Sequence, residues 1–256
     1  GPVDGKISNV QYAQGGQKIV QVTENATGSI LDARTGKETM PLQPVYGIWP
    51  IQPYVNVLAV SADGGYFVRG HSIGMKDGPP FLSVWSASEG RRLDSLYANT
   101  TANDAAYSPD ALRIAVTTSD GLLCWDVAAR KWETLAVASR SYASGFPYRY
   151  NNVVFLDNSV LATGTNHGEI EFWDVREKKM LAKSVQPDWY NLTAIARSPD
   201  GHWLAAGFGN KKIGLWRCEP GALPQFVHAL EGHDDWIQSV RFSPDSRRLI
   251  STSYDN

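Results

Sequence analysis

One passage constrains the fold of this chain more than any other, because it recurs. Residues 231–256 run from Gly232-His233 into a strand-like stretch, turn at Ser243-Pro244-Asp245, and enter a second strand-like stretch that ends in Tyr254-Asp255-Asn256. Proline pre-sets φ for the second turn position, and aspartate can bond its own backbone there. The flanking runs carry Val, Ile, Phe and Thr, which suit a pleated, half-buried surface. Taking the residue before each turn as a register mark gives Tyr12, Val60, Tyr107, Phe155, Arg197 and Phe242, spaced 42–48 residues apart. A repeat of that period predicts an array of small strand-rich units, each too small to bury its apolar face alone.

The turns after the marks include Ser61-Ala62-Asp63-Gly64, Ser108-Pro109-Asp110, Leu156-Asp157-Asn158 and Ser198-Pro199-Asp200-Gly201. A further strand-like run follows in each unit but the last, and four of these runs reach a tryptophan, at Trp85, Trp125, Trp173 and Trp216. The Trp125-Asp126 and Trp173-Asp174 pairs, the Ser-Pro-Asp turns and Gly232-His233 together resemble the WD-repeat family. The resemblance covers nearly the whole chain. It implies an all-β protein, a β-propeller of four-stranded antiparallel blades, with about five complete repeats and a partial sixth. The repeats lie near 7–32, 54–87, 101–126, 149–174, 191–217 and 233–256 of a single domain, 1–256.

The family pattern also implies a polar network in which a His, a strand Ser or Thr, a turn Asp and the Trp tie each blade together. This chain carries it unevenly. The third unit offers Thr118, Asp120 and Trp125 without the His, and the last offers His233, Ser253 and Asp255 without a Trp. Hydrophobic packing between sheets is therefore expected to dominate. One buried Trp removes about 150–250 Å² from water, which at ~25 cal/mol per Å² exceeds a hydrogen bond of about 1 kcal/mol net.

Length and composition fit this reading. The chain has 256 residues, 43% hydrophobic, enough for one sizeable domain. A net charge of −2 gives no general attraction to nucleic acid. No apolar run approaches the length of a membrane-spanning helix. Cys124 and Cys218 sit in different units and read as buried thiols, which with the lack of a signal-like N-terminus points to a cytoplasmic location. The last unit has two strand-like runs only. The chain is accordingly expected to be part of a longer protein, and in isolation to self-associate through the incomplete last blade.

No catalytic or metal-binding constellation is specific enough to name, and no cofactor is expected. The five histidines lack metal-ligand spacing, and neither a nucleophile elbow nor a phosphate-binding glycine loop is present. The functional signal is positional. In the family, partners commonly bind the rim where the first strands begin. Counting six back from the marks gives Lys6, Tyr54, Thr101, Arg149, Asn191 and Trp236. Counting four back gives Ser8, Asn56, Asn103, Asn151, Thr193 and Gln238, a uniformly small-polar or amide set that suits a hydrated channel mouth or a partner's backbone. The resemblance thus implies a non-catalytic scaffold that binds a protein or peptide through Tyr54, Arg149, Asn191, Trp236, Gln238 and Tyr254, as the docking module of a larger signalling protein. Two rivals stand beside it: an enzyme with its site at the channel mouth, and a propeller that packs against other domains of its own chain. The irregular stretches 40–53, 69–81 and 139–149 are candidate functional loops.

Overall fold

Strand-forming runs separated by turn residues give antiparallel hairpins, and the computed structural model is built from them throughout. It describes residues 7–13, 16–23, 28–42, 55–61, 63–71, 82–96, 100–138 and 148–255. The stretches 43–53, 72–81 and 139–147 of the expected loops lie outside these, as do Tyr54 and residues 1–6. The first sheet holds β1 (Ile7–Ala13), β2 (Lys18–Thr23), β3 (Gly28–Asp32) and β4 (Glu38–Leu42). The second holds β5 (Val55–Val60), β6 (Tyr66–His71), β7 (Leu82–Ser86) and β8 (Arg92–Leu96). The third holds β9 (Ala102–Tyr107), β10 (Arg113–Thr118), β11 (Gly121–Asp126) and β12 (Lys131–Val137). Next come β13 (Tyr150–Phe155), β14 (Val160–Thr165), β15 (Ile170–Asp174) and β16 (Lys179–Ser184), then β17 (Leu192–Arg197), β18 (Trp203–Phe208), β19 (Ile213–Arg217) and β20 (Gln225–Leu230). A sixth sheet pairs β21 (Ile237–Phe242) with β22 (Leu249–Ser253).

Each four-stranded sheet is a meander in which sequence neighbours pair. The chain divides into two compact units, 1–133 and 134–256, with the boundary inside β12. In the first unit, β1 lies beside β5 and β5 beside β9; in the second, β13 lies beside β17 and β17 beside β21. Within each unit the first strands therefore form the inner row, and the fourth strands lie outermost. Burial follows this order. β18 is half-buried at its first residue and buried at the other five, whereas β20, at the outer edge, is almost wholly exposed. The outer strands carry little apolar periodicity, which is why the repeats legible in the sequence stop at the third run.

The turn between first and second strands has one recurring construction. The Ser108 hydroxyl donates to Asp110 Oδ1 at 2.6 Å and accepts from the Arg113 amide at 2.9 Å. Ser61, Ser198 and Ser243 repeat both bonds with Asp63, Asp200 and Asp245 and with the amides of Tyr66, Trp203 and Arg248. The next residue enters the left-handed region, as Gly64, Ala111, Gly201 or Ser246. The serine, more than the proline, is the constant part. The Trp-Asp pair does separate work at the other hairpin. Asp126 Oδ1 accepts from the Ala129 amide at 2.8 Å and Asp174 Oδ1 from those of Arg176 and Glu177, so the Asp caps the turn into the outer strand.

The tryptophans themselves are not held by a strand hydroxyl of their own second strand. Trp125 Nε1 donates to Asp94 of the preceding sheet at 2.9 Å, and Trp216 Nε1 to Ser184 of the preceding sheet at 3.1 Å. Trp85 and Trp173 bond residues two positions back, Ser83 and Glu171. Trp85, Trp125 and Trp216 are buried, while Trp173 is half-buried and Phe172 fills the core beside it. The exposed Asp120 sits at the β10–β11 turn, where its amide donates to Thr118 Oγ1 at 3.2 Å.

Sheet-to-sheet packing in the second unit uses glycine. A Cβ at Gly164 on β14 would collide with the Leu192 side chain, and one at Gly207 on β18 would collide with Ile237. Leu192 and Ile237 each begin the first strand of the next sheet and are fully buried. Overpacking such a contact costs about 1–3 kcal/mol. Gly207→Val is expected to lower unfolding stability by that amount in urea titrations, with part of the loss recovered in the Gly207→Val/Ile237→Ala double variant.

The serine–aspartate turns also predict an acid limb. The carboxyls of Asp63, Asp200 and Asp245 are held below the ordinary 3.8, first by the serine hydroxyl and then by a backbone amide. At Asp110 burial pushes upward, but the Ser108 hydroxyl, the Leu112 amide and Arg113 outweigh it, and its carboxyl too is lowered from 3.8. A depressed folded value means the unfolded chain binds protons first, so this stability is full above about pH 4–5 and is lost as pH falls through the folded values. Thermal melts are expected to drop between about pH 4 and pH 2, and Ser61→Ala/Ser108→Ala to flatten that drop.

Candidate functional site

The strand-entry end of the second unit is built by a bulge. All six first strands carry a register shift at the same place, between Ile7/Asn9, Val55/Val57, Tyr150/Asn152, Leu192/Ala194 and Ile237/Ser239, and opposite Thr117/Thr118 in the third sheet. The residues skipped are Ser8, Asn56, Asn151, Thr193, Gln238 and, opposite Thr117 and Thr118, Asn103. These are the small-polar set read from the sequence as a channel-mouth lining. A bulge leaves one residue out of the ladder and re-aims its side chain, and a polar side chain can then satisfy neighbouring backbone groups. Asn151 Nδ2 donates to Asn191 Oδ1 at 3.1 Å and to Leu192 O at 3.0 Å, tying β13 to β17. The Thr193 hydroxyl donates to Gly207 O at 3.1 Å.

A chain of backbone bonds then fixes the rim. The Asn166 amide donates to Arg149 O at 3.1 Å, the Asn191 amide to Asn166 O at 3.0 Å, and the Gly209 amide to Tyr190 O and Asn191 O. The Tyr254 amide donates to Trp236 O at 3.1 Å. Gly168 is required here, because a Cβ would strike the Trp189 backbone and its φ is +77°. On this frame, Arg149, Gln238, Tyr190, Trp236 and Tyr254 are exposed, the last three at 47%, 42% and 60%. The Tyr190 and Trp236 rings meet edge to face, 6.3 Å between centroids and 75° between planes. The Tyr190 ring lies on Gly209, where a Cβ would sit 2.8 Å from it.

The sequence-derived partner residues thus separate into two kinds. Arg149, Trp236, Gln238 and Tyr254 present exposed side chains at one end of the second unit. Asn191 is half-buried, with its amide oxygen taken by Asn151 and its φ at +48°. Its role in the structure is to hold the rim. Tyr54 is outside the described residues. Tyr190, which the count along the chain did not select, belongs with Trp236. Its signal was its place just before the first strand, one position ahead of the residue that the count selected. Trp189 turns inward and packs on Phe208, Trp216 and Phe226.

The last unit does assemble the polar network. His233 Nδ1 pairs with Asp255 Oδ2 and Nε2 with Ser251 Oγ, both at 2.8 Å. The Asp234 amide and then His233 hold the Asp255 carboxyl below its ordinary value. The hydroxyl facing His233 belongs to Ser251. Ser253, expected in that place, donates to Asp235 O at 2.8 Å. The two serines differ by one strand period, and only the register of β22 separates them.

One other cluster gathers titratable groups. The Tyr148 hydroxyl lies 2.7 Å from both Glu169 and Glu171, and Lys183 Nζ lies 2.9 Å and 3.3 Å from the same carboxylates. Burial, then Glu171 and Glu169, pushes the Tyr148 phenol far above its ordinary value, and the same groups raise Tyr150. Burial works against the Lys183 ammonium, but the carboxylates outweigh it and raise it. General acid–base work favours values near the working pH; the phenols and the ammonium here are tuned away from it. The cluster ties the entry of β13 to β15 and β16. Among the described residues, no three His, Cys, Asp or Glu side chains are placed to hold a metal ion.

Comparison with known proteins agrees with this architecture. The family model described as WD domain, G-beta repeat matches residues 186–217 and 224–256. The yeast (Saccharomyces cerevisiae) APC/C activator protein CDC20 is 27% identical over 173 residues, 67% of this chain and 27% of that protein. The human WD repeat and SOCS box-containing protein 1 is 34% identical over 100 residues, 37% of this chain and 22% of that protein. The Brassica napus small ribosomal subunit protein RACK1 is 29% identical over 135 residues, 48% of this chain and 39% of that protein. The chain therefore spans less than half the length of each of these relatives. In structure it matches the crystal structure of the Cps50 (Swd1) β-propeller domain of Myceliophteria thermophila with a TM-score of 0.80, covering 99% of this chain and 82% of that one at 15% identity.

The Asn151 bridge makes a specific prediction. Asn151→Ala removes two bonds at about 0.5–1.5 kcal/mol net each and leaves Leu192 O short of a donor. We expect a loss of about 1–3 kcal/mol, with amide exchange accelerated first at the β13 and β17 entries. Unchanged exchange there would show that the bulge side chain is not what ties the rim.

Proposed function

Because this chain is a WD-repeat β-propeller, we propose that it serves as a non-catalytic protein-interaction scaffold whose docking surface is the rim around Tyr190 and Trp236. The exposed aromatic pair carries this reading. Large aromatic side chains cost free energy in water, and tryptophan, tyrosine and arginine are the residue types that dominate interface energetics. Here they stand on a frame already fixed by backbone bonds, so little ordering is lost when a partner binds. WD-repeat proteins act in general as protein-interaction scaffolds, and the names of two relatives, an activator of the APC/C and a small ribosomal subunit protein, place those proteins in assemblies. The finer reading is that of a docking module in a larger cytoplasmic signalling protein. The partner is a protein or peptide that lays a segment across Arg149, Trp236, Gln238 and Tyr254.

The test is affinity capture from host extract with the parent chain and with a Trp236→Ala/Arg149→Glu variant of confirmed fold. A protein held by the parent and lost in the variant is expected, with Trp236→Ala alone weakening the isolated pair by about 2 kcal/mol or more. Identical capture by both chains would remove the rim from consideration.

A further inference from the structure

The charge around Tyr190 and Trp236 narrows what that rim can hold. Asp188 lies two residues before Tyr190, and Asp234 and Asp235 directly precede Trp236; all three are exposed. Asp235 Oδ1 accepts from the Trp236 amide at 2.7 Å, which fixes this carboxylate beside the base of the indole. Asp188 and Asp234 are engaged through their backbones, the first by Asn210 Nδ2 and the second by Asp255 Oδ2. Among the described residues, no hydrogen bond or ion pair involves their carboxylates.

Cations close by are fewer, and one is spent. Lys212 Nζ pairs with Glu231 Oε1 at 2.6 Å. Lys211 shares the β18–β19 turn with Gly209, on which the Tyr190 ring lies, and is exposed. Arg149 stands one sheet further on, at the entry of β13. The corner between the fifth and sixth sheets thus sets the carboxylates of Asp188, Asp234 and Asp235 against the single ammonium of Lys211.

The rings lean the same way. Their planes stand 75° apart, so together they form a corner with two walls. The face of an aromatic ring is the negative side of its quadrupole, and indole gives the strongest attraction to a cation. An anionic side chain here meets like charge, and a neutral apolar one gains from the rings alone. A cation gains from both the rings and the carboxylates. Arginine and lysine also lay an apolar stem along a ring while the charged head reaches an oxygen.

We propose that the segment bound at this rim presents an arginine or lysine side chain to the Tyr190–Trp236 corner, its charge met by Asp188, Asp234 and Asp235. This rests on the reading of the rim as a protein-docking surface and names the chemistry of the partner. The corner is set before a partner arrives, because the Gly209 amide holds Tyr190 O and the Tyr254 amide holds Trp236 O. It is also open, so the cation needs polypeptide on either side of it to add contact area.

The test is selection of a random dodecapeptide phage library on the whole chain. Parallel selections use Tyr190→Ala/Trp236→Ala and Asp188→Asn/Asp234→Asn/Asp235→Asn, each confirmed to melt as the parent does. Asparagine removes the charge and keeps an acceptor for the Trp236 amide. Peptides held by the parent and lost in the ring variant are expected to be enriched in arginine and lysine over the library. Synthetic copies with that residue replaced by norleucine should bind about tenfold more weakly in fluorescence anisotropy. The asparagine variant should bind a cationic peptide and its norleucine copy alike. Ring-dependent peptides without a cation excess, a norleucine copy of equal affinity, or a preference that survives in the asparagine variant would each overturn this inference and leave the rim as a docking surface. A folded parent chain that yields no ring-dependent peptide would remove both.

Discussion

The contact between a glycine on one sheet's second strand and the first buried residue of the next sheet's first strand sets the spacing in the second unit. Gly164 admits Leu192, and Gly207 admits Ile237. Neighbouring inner strands can then run side by side with their apolar faces closed, and both Leu192 and Ile237 lose all solvent contact. The entry bulge follows from the same seam. With Leu192 or Ile237 driven into the neighbouring sheet, the next residue leaves the ladder, and the chain regains register one position later. A polar residue belongs at that position because its side chain can bond the adjoining backbone, as Asn151 and Thr193 do.

Polar interactions in this protein refine a fold that burial has already set. The serine–aspartate turns fix hairpin geometry locally and recur whether or not the rest of a unit keeps the family pattern. The indole bonds of Trp125 and Trp216 run to the preceding sheet, so they add to sheet-to-sheet cohesion. The His233–Asp255–Ser251 network, the fullest expression of the repeat, sits in the sixth sheet, where only two strands share the burial. Elsewhere Trp, Phe, Leu and Ile fill the core.

The two surfaces at opposite ends of the second unit differ in kind. The strand-entry rim offers exposed aromatic rings on a frame of backbone bonds, a surface suited to large, flat contact. The recess by Arg197, at the other end, mixes apolar walls from Leu156, Val160, Leu181 and Leu223 with the carboxylates of Asp157, Asp200 and Glu219. The intervening strands, buried and hydrogen-bonded along their length, give a rigid connection between them.

The sequence by itself determined the repeat, the all-β class, the turn positions and the ends of the inner strands, because period-two apolar runs and Ser-x-Asp turns are local signals. It also marked the polar register that became the bulges, although it could not say that these residues leave the ladder. What it did not determine was anything that depends on two sheets meeting. Trp173 and Trp216 stand in equivalent runs, yet Phe172 takes the core position in the fourth sheet and Trp216 in the fifth. Asn191 looked like a contact residue and is instead held by Asn151, while Tyr190 beside it is the one exposed. Ser251 and Ser253 are interchangeable in a strand pattern, and only the register of β22 against β21 chose between them. The tertiary structure decided these points because burial and partner choice are set by neighbours 18 to 40 residues away in the chain, and no local pattern encodes which neighbour arrives.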